Sequence, residues 1–112
     1  MGAKRVTLKS LGDWIFRAAR EELGSGADSV KKYLKTESEK LAITLRMIIE
    51  GAAKGEISPE EAQILLQMQK TASRSILTAA EGLSVLTAES AINSALGAVK
   101  DFVNSRLGFP LL

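Results

Sequence analysis

The stretch Lys54-Gly55-Glu56-Ile57-Ser58-Pro59-Glu60-Glu61 carries the strongest structural signal in the chain. Ser58 can accept a hydrogen bond from the backbone of a following helix, Pro59 suits the first helical position, and Glu61 completes a capping box. Ile57 stands one residue before the cap, where it can pack against Ala62 as a hydrophobic staple. Because the connection is short, it predicts that the helices on either side form an antiparallel αα-hairpin.

Apolar residues recur at helical spacing on both sides of this connection. The preceding segment predicts a helix over 28–53 with a narrow apolar stripe, made of Val30, Leu34, Leu41, Leu45, Ile48 and Ala52. Ile43 and Met47 lie on another side of this helix, which predicts burial of its C-terminal half on more than one face. The following segment predicts a helix over 59–81, and its apolar side contains Ala62, Leu65, Leu66, Ala72, Ile76, Leu77, Ala80 and Leu83.

Two further helices are predicted outside the hairpin. Ser10 can cap a helix over 11–23, and Gly24 can end it. The apolar residues of this helix cover an arc of roughly 200°, which requires either two neighbouring helices or a membrane surface. Near the C-terminus the apolar stripe changes side, and a second capping pattern follows, so we expect a break between Gly82 and Thr87 and a helix over 88–107. One unbroken helix of about fifty residues is the alternative.

These elements together predict the fold class. Alternation at period two is not sustained anywhere, so no strand is predicted. We expect an all-α protein: a three- to four-helix bundle built on a long antiparallel hairpin, with a short N-terminal amphipathic helix. The length of 112 residues fits a single domain, in which a basic arm over 1–10 precedes the helices and an apolar tail over 108–112 follows them.

The residue inventory excludes several kinds of chemistry. The chain has no His and no Cys, and its 15 Lys and Arg nearly balance its 13 Asp and Glu. It therefore lacks a thiolate nucleophile, a Ser-His-Asp relay, a disulfide framework, and an imidazole or thiolate metal site. No phosphate-binding glycine loop or EF-hand loop is present. We expect a protein that is not an enzyme, with no catalytic residue, cofactor, metal site or small-molecule substrate.

Small residues dominate the segment from Thr71 to Ala98. They allow helix backbones to approach closely, either within the chain or between protomers, and the candidates for such a contact are Gly82, Ser90, Ser94 and Gly97. At a close contact, Gly97→Leu would clash. Glu81 and Glu89 have no basic residue three or four positions away, so each is expected either in solvent or in an ion pair between subunits, with Arg74, Lys100 or Arg106 as the cation.

The C-terminal segment Gly108-Phe109-Pro110-Leu111-Leu112 is apolar. A glycine can end the last helix, and the proline prevents the helix from resuming. Phe109, Leu111 and Leu112 are then expected either to tuck into their own bundle or to dock on a neighbouring subunit.

Basic residues concentrate near the N-terminus, where residues 1–20 carry five Lys or Arg against Asp13 alone. Basic charge beside aromatic side chains suits an anionic membrane surface or a phosphate backbone. The candidate residues are Lys4, Arg5, Lys9, Trp14, Arg17 and Arg20. Packing of Trp14 in the core is the alternative, and the absence of a recognition-helix pattern weighs against nucleic acid.

The sequence thus predicts a structural or protein-interaction protein that assembles with other subunits, as a homo-oligomer or in a larger particle such as a virion or phage. The surfaces expected to carry assembly are the small-residue helix faces and the apolar tail. One alternative is a peripheral membrane-binding or membrane-perturbing protein acting through the N-terminal segment, and a second is a small nucleic-acid-binding regulator. No spanning apolar run or secretory signal is predicted, so we expect an intracellular or virion location.

Overall fold

The structure is a computed structural model that describes residues 7–24 and 27–112, with the side chains of all of these except 27–31. Within these residues there are five helices and no strand, and their order is α1 (Leu11–Leu23), α2 (Ala27–Ala53), α3 (Pro59–Glu81), α4 (Val85–Ala98) and α5 (Lys100–Leu107). The all-α prediction is confirmed. The bounds of the first three helices differ from the predicted ones by one residue at most.

The connection between α2 and α3 is held by the predicted capping box. The Ser58 hydroxyl accepts a hydrogen bond from the Glu61 backbone N–H at 3.1 Å, and the Glu61 carboxylate accepts one from the Ser58 N–H at 2.9 Å. The bonds from the Ser58 backbone and hydroxyl lower the pKa of the Glu61 carboxyl below its ordinary value. A lowered folded-state pKa means that the cap stabilises the fold at neutral pH and loses this effect as the pH falls through that pKa.

The same connection is also closed by a contact that the sequence analysis did not identify. The Gly51 carbonyl accepts hydrogen bonds from the N–H groups of Glu56, at 2.8 Å, and Ile57, at 3.3 Å. The Ile57 side chain lies directly over Gly51, where an added Cβ would stand 2.7 Å from the Ile57 Cγ1. Gly51 is buried inside a helix, so the lack of a side chain there allows the chain to fold back on α2.

Alanine usually stabilises a helix more than glycine does. Because of this close approach, we expect the opposite order at residue 51. Gly51→Ala should lower the free energy of unfolding by about 1–3 kcal/mol, because the new methyl group meets the Ile57 side chain. In an Ile57→Ala background the same change should instead raise that free energy by up to about 1 kcal/mol, because alanine favours helix over glycine. Urea unfolding of the four proteins measures both effects. Stabilisation by Gly51→Ala with Ile57 in place would contradict the contact.

α1 lies between α2 and α4 and packs against both of them. Leu11, Ile15 and Ala19 are buried in these contacts, so two neighbouring helices cover the wide apolar arc of α1. Gly24 ends the helix as predicted, with φ +60° and its N–H bonded to the Arg20 carbonyl. The prediction that the Ser10 side chain caps α1 is wrong, because that hydroxyl bonds to the preceding turn, accepting the Thr7 N–H at 2.9 Å.

α2 runs through the centre of the fold, and its main apolar stripe is buried. Leu34, Leu41, Leu45 and Ile48 from the predicted stripe are all in the core, and Ala52 is half-buried. The Val30 side chain lies outside the described part. The prediction that Ile43 and Met47 are also buried is wrong, because both are exposed.

α3 and α4 are separated by a short break, as predicted. Gly82 adopts φ +70° and donates its N–H to the Thr78 carbonyl. The next helix begins at Val85, three residues before the expected start, because the cap is Ser84, whose hydroxyl accepts the Thr87 N–H at 3.1 Å.

The segment 88–107, predicted as one helix, is divided into two helices by a break at Val99. The Val99 N–H bonds to the Leu96 carbonyl in a tight turn, and α5 starts at the next residue. α5 packs against α2, and this bend places Val99 and Val103 together in the core. No proline or capping pattern marks this break in the sequence, and the nearest glycine, Gly97, lies within the last turn of α4.

The Cα framework measures 40 × 37 × 18 Å, which is about two helix layers in thickness. α2 contacts α1 on one side and α3 on another, while α3 makes only a limited contact with α4. The hairpin of α2 and α3 therefore keeps one long side that no other described helix covers.

Candidate functional site

Four large apolar side chains project from the uncovered side of the α2–α3 hairpin. Ile43 and Met47 of α2 are 53% and 55% exposed, and Ile64 and Met68 of α3 are 60% and 64% exposed. Within each helix the two residues are four positions apart, which places them one turn apart on the same side. We call these four residues the hairpin face.

The hairpin face continues along α3 as an uncharged strip. Thr71, Ala72 and Ser75 follow Met68 on the same side and are exposed. The two basic residues of this part of α3, Lys70 and Arg74, instead line a cleft against α4. The charges of α3 are thus directed away from the hairpin face, which leaves the strip without a charged side chain between Glu61 and Glu81.

A shallow groove between the two helices joins the halves of the hairpin face. It measures about 310 Å³ and is lined by Thr44, Met47, Leu65, Met68, Gln69 and Ala72. Two shallower depressions adjoin it, one beside Ile64 on α3 and one beside Ile43 on α2. Ridges at i,i+4 spacing with a groove between them are the shape into which another helix packs, and the two methionines can adapt their side chains to such a partner.

The cleft between α3 and α4 is polar and smaller. Its volume is about 170 Å³, below the roughly 300 Å³ at which small-molecule pockets usually begin. Across it, the Arg74 guanidinium donates to the Glu89 carboxylate at 2.9 Å. Glu89 therefore pairs with one of the three predicted cations, but within its own chain.

The small-residue candidates are dispersed rather than joined in one close helix contact. Gly82 ends α3. The Ser90 and Ser94 hydroxyls donate to the Glu22 carboxylate of α1, at 2.8 and 3.1 Å. Gly97 has no atom within 4 Å of the position that a Cβ would take, so the expectation of a clash at this residue is wrong for the chain by itself. The small residues of α4 that are buried in the core are instead three alanines, namely Ala88, Ala91 and Ala95.

Open space beside Gly97 predicts a gain in stability on substitution. Gly97→Ala should raise the free energy of unfolding by up to about 1 kcal/mol, because alanine favours the helical backbone and meets no neighbour. Gly97→Leu should be tolerated for the same reason. Urea denaturation followed by circular dichroism measures both, and a loss above about 1 kcal/mol for Gly97→Leu would indicate a contact across another subunit.

The C-terminal tail tucks into its own chain, which is one of the two expected arrangements. Leu111 is buried, and Phe109 and Leu112 pack half-buried against the core. The Asn104 side chain holds this segment, since its Oδ1 accepts the N–H groups of Leu111 and Leu112 at 2.9 and 3.0 Å. The tail side chains are therefore engaged within the molecule, and the uncovered apolar surface lies elsewhere.

The two hydrogen bonds that Asn104 accepts from the tail predict that this residue stabilises the fold. Asn104→Ala should lower the free energy of unfolding by about 1–3 kcal/mol, because two partly buried backbone N–H groups lose their acceptor. Ser105→Ala provides the matched control, since Ser105 is exposed on the same helix, and its effect should stay within about 0.5 kcal/mol. Equal effects of the two substitutions in urea unfolding would contradict this role.

The basic and aromatic candidates near the N-terminus differ in their exposure to solvent. Lys9, Arg17 and Arg20 are exposed, whereas Trp14 packs half-buried against the core, in line with the core-packing alternative. The Arg20 guanidinium lies 5.6 Å from the Phe16 ring centre. Lys4 and Arg5 lie outside the described residues. Trp14 and Phe16 thus both pack against the core, and Phe16 also lies beside the exposed guanidinium of Arg20.

The hairpin face was not predicted from the sequence, although a signal for it was present. Ile43 lies about 160° around the helix from Leu45, too far to share one core with it. Ile64 and Met68 likewise fall outside the apolar side assigned to their helix. Apolar residues that lie outside the main stripe of each helix, at i,i+4 spacing on two adjacent helices, indicate a second apolar surface.

None of three comparisons, with protein-family models, with curated proteins and with solved structures, finds a match. None of the helices in the described residues is both long enough and apolar enough to cross a bilayer. In the same part of the chain no three acidic side chains converge as metal ligands.

Proposed function

We propose that this protein is a non-enzymatic structural or interaction protein that associates with copies of itself through the hairpin face. The observation that carries the proposal is the exposure of more than half of each side chain of Ile43, Met47, Ile64 and Met68 on one side of the fold. Contiguous apolar surface of this kind on a folded protein marks a contact with another protein or a membrane. Of the basic residues that would favour an anionic membrane, the described ones, Lys9, Arg17 and Arg20, lie on or just before α1 and not on this face.

A second copy of the chain is the partner that the shape of the hairpin face supports. Each helix of the hairpin carries an apolar pair at i,i+4 spacing, and the two pairs flank one groove. Because α2 and α3 run antiparallel, these ridges and this groove can pack on a second copy around a twofold axis. The net charge of the chain is only +2, so two copies meet little overall repulsion.

The proposal predicts a mass above that of the 12.0 kDa chain. Sedimentation velocity across a wide concentration range should find a self-associating species for the wild-type protein. Met68→Lys should weaken association by at least about tenfold, because an apolar side chain worth roughly 1.5–3 kcal/mol on burial becomes a charge. In a symmetric pair the substitution acts twice.

The control for this experiment is Gln63→Lys, which adds the same charge to α3 at an exposed position outside the hairpin face. It should leave both the mass and the helical circular dichroism unchanged. A wild-type protein that sediments at 12.0 kDa at every concentration would overturn the proposal. If the two lysine substitutions weakened self-association equally, the contact between copies would lie outside the hairpin face.

A further inference from the structure

We propose that the polar cleft between α3 and α4 binds a phosphate group, held by Lys70 and Arg74 of α3 and by Asn93 of α4. This inference goes beyond the proposed self-association, because the two basic residues of the cleft are directed away from the hairpin face. It gives an anionic ligand to a part of the surface that has no role in the apolar contact between copies.

The cleft is a small concave site backed by the core. It lies between α3 and α4, and its walls are formed by Gln67, Lys70, Thr71, Arg74, Glu89, Ile92 and Asn93. Ile92 is only 4% exposed, so apolar protein closes the cleft on one side. The volume of about 170 Å³ has room for roughly five water molecules at about 30 Å³ each. This space suits a phosphate group and excludes a larger ligand.

Positive charge exceeds negative charge in the cleft. Lys70 and Arg74 contribute two cations, whereas Glu89 is the one acidic residue among those that line it. The Arg74 guanidinium donates to the Glu89 carboxylate at 2.9 Å, but Lys70 makes no ion pair with any described residue. Lys70 is half-buried, and partial burial removes water from a charged group. An anion in the cleft would offset this loss of hydration and balance the charge.

Hydrogen-bond donors on α3 also exceed the acceptors that they meet. An arginine has five N–H donors, and one hydrogen bond links Arg74 to Glu89. The Lys70 ammonium adds three donors. The Thr71 hydroxyl accepts a hydrogen bond from the Gln67 amide at 3.3 Å, which leaves its own O–H able to donate to another group. A ligand that fits this wall of the cleft is therefore rich in acceptors and negatively charged.

A phosphate group meets these requirements better than a carboxylate does. Lys70 and Arg74 are four positions apart, so they lie one turn apart on the same side of α3. Asn93 lines the opposite wall, on α4, and its amide supplies two further donors. Donors on two walls require acceptor oxygens that point in more than one direction. A carboxylate has two oxygens in one plane, whereas a phosphate ester has three terminal oxygens and about −1.5 to −2 charges at pH 7.

Titration of ¹⁵N-labelled protein with sodium phosphate, at constant ionic strength set with sodium chloride, tests this site by NMR. We expect saturable shifts in the backbone signals around Arg74 and in the Asn93 side-chain amide. Lys70→Gln should raise the dissociation constant for phosphate by about tenfold, because a charge-assisted hydrogen bond is lost. The matched control is Lys54→Gln, which removes the same charge at an exposed residue of the α2–α3 connection. It should change the dissociation constant by less than about twofold.

A substitution at Glu89 should act in the opposite direction. Glu89→Gln removes a carboxylate that competes for the Arg74 guanidinium and repels an anion, so the dissociation constant for phosphate should fall by about threefold to tenfold. A variant that folds poorly would not bind more tightly, so this gain is independent of any damage that Lys70→Gln does to the fold. Unchanged or weaker binding by Glu89→Gln would contradict the assigned site.

Two further titrations identify the source of the phosphate group and test its geometry. Tighter binding of glycerol 3-phosphate than of inorganic phosphate would assign the site to a phosphate ester, and the reverse order would assign it to the free anion. Sodium acetate at the same ionic strength should bind at least about tenfold more weakly than phosphate. Equal affinity for acetate, shifts that do not saturate with phosphate, or equal weakening by Lys70→Gln and Lys54→Gln would each overturn the proposal.

Discussion

The close approach of Ile57 to Gly51 is the constraint on which the rest of the structure depends. Because residue 51 has no side chain, the connection can fold back onto the last turns of α2 and direct α3 along it. The capping box at Ser58 then starts α3 with partners for the backbone N–H groups of both Ser58 and Glu61. The resulting register brings Met47 and Met68 to opposite walls of one groove. A different path between the helices would place these apolar side chains on different sides of the molecule.

Burial is divided unequally between the two sides of α2. α1 and α5 pack on α2, α4 covers the other side of α1, and the tail completes this layer. The hairpin face has no such cover, which agrees with a molecule only 18 Å thick. Leu45 and Ile43 are close in sequence and similar in chemistry, yet Leu45 is fully buried and Ile43 is about half exposed. Their separate positions follow from the helical repeat and not from a difference in hydrophobicity.

The sequence predicts the helices well because the signals that start and end them are local. Ser58 with Glu61, Gly24 and Gly82 each act within one turn of their own helix. Contacts between residues far apart in the chain are not visible in this way. The bond from Ser90 to Glu22 depends on how α1 and α4 meet, and the burial of Leu111 depends on how Asn104 receives the tail. The hairpin face also depends on contacts between distant parts of the chain. Apolar periodicity shows that two sides of a helix are apolar, but it does not show which of the two sides the rest of the chain covers.

The charge asymmetry of the hairpin has its origin in helix formation. Glu60 and Glu61 stand in the first turn of α3, where the exposed N–H groups favour negative charge. They are therefore fixed at the connection end by the requirements of the fold. Lys40 lies about three turns back along α2 from Gly51, while Lys70 and Arg74 of α3 line the cleft against α4, so the positive charge of the hairpin lies away from the connection. Since α2 ends and α3 begins at the connection, their helix dipoles are opposed and largely cancel there. The charged side chains therefore set the sign of the charge at each end of the hairpin. The residues that begin α3 thus also make the connection end acidic, since residues 46–63 carry four Glu against two Lys or Arg.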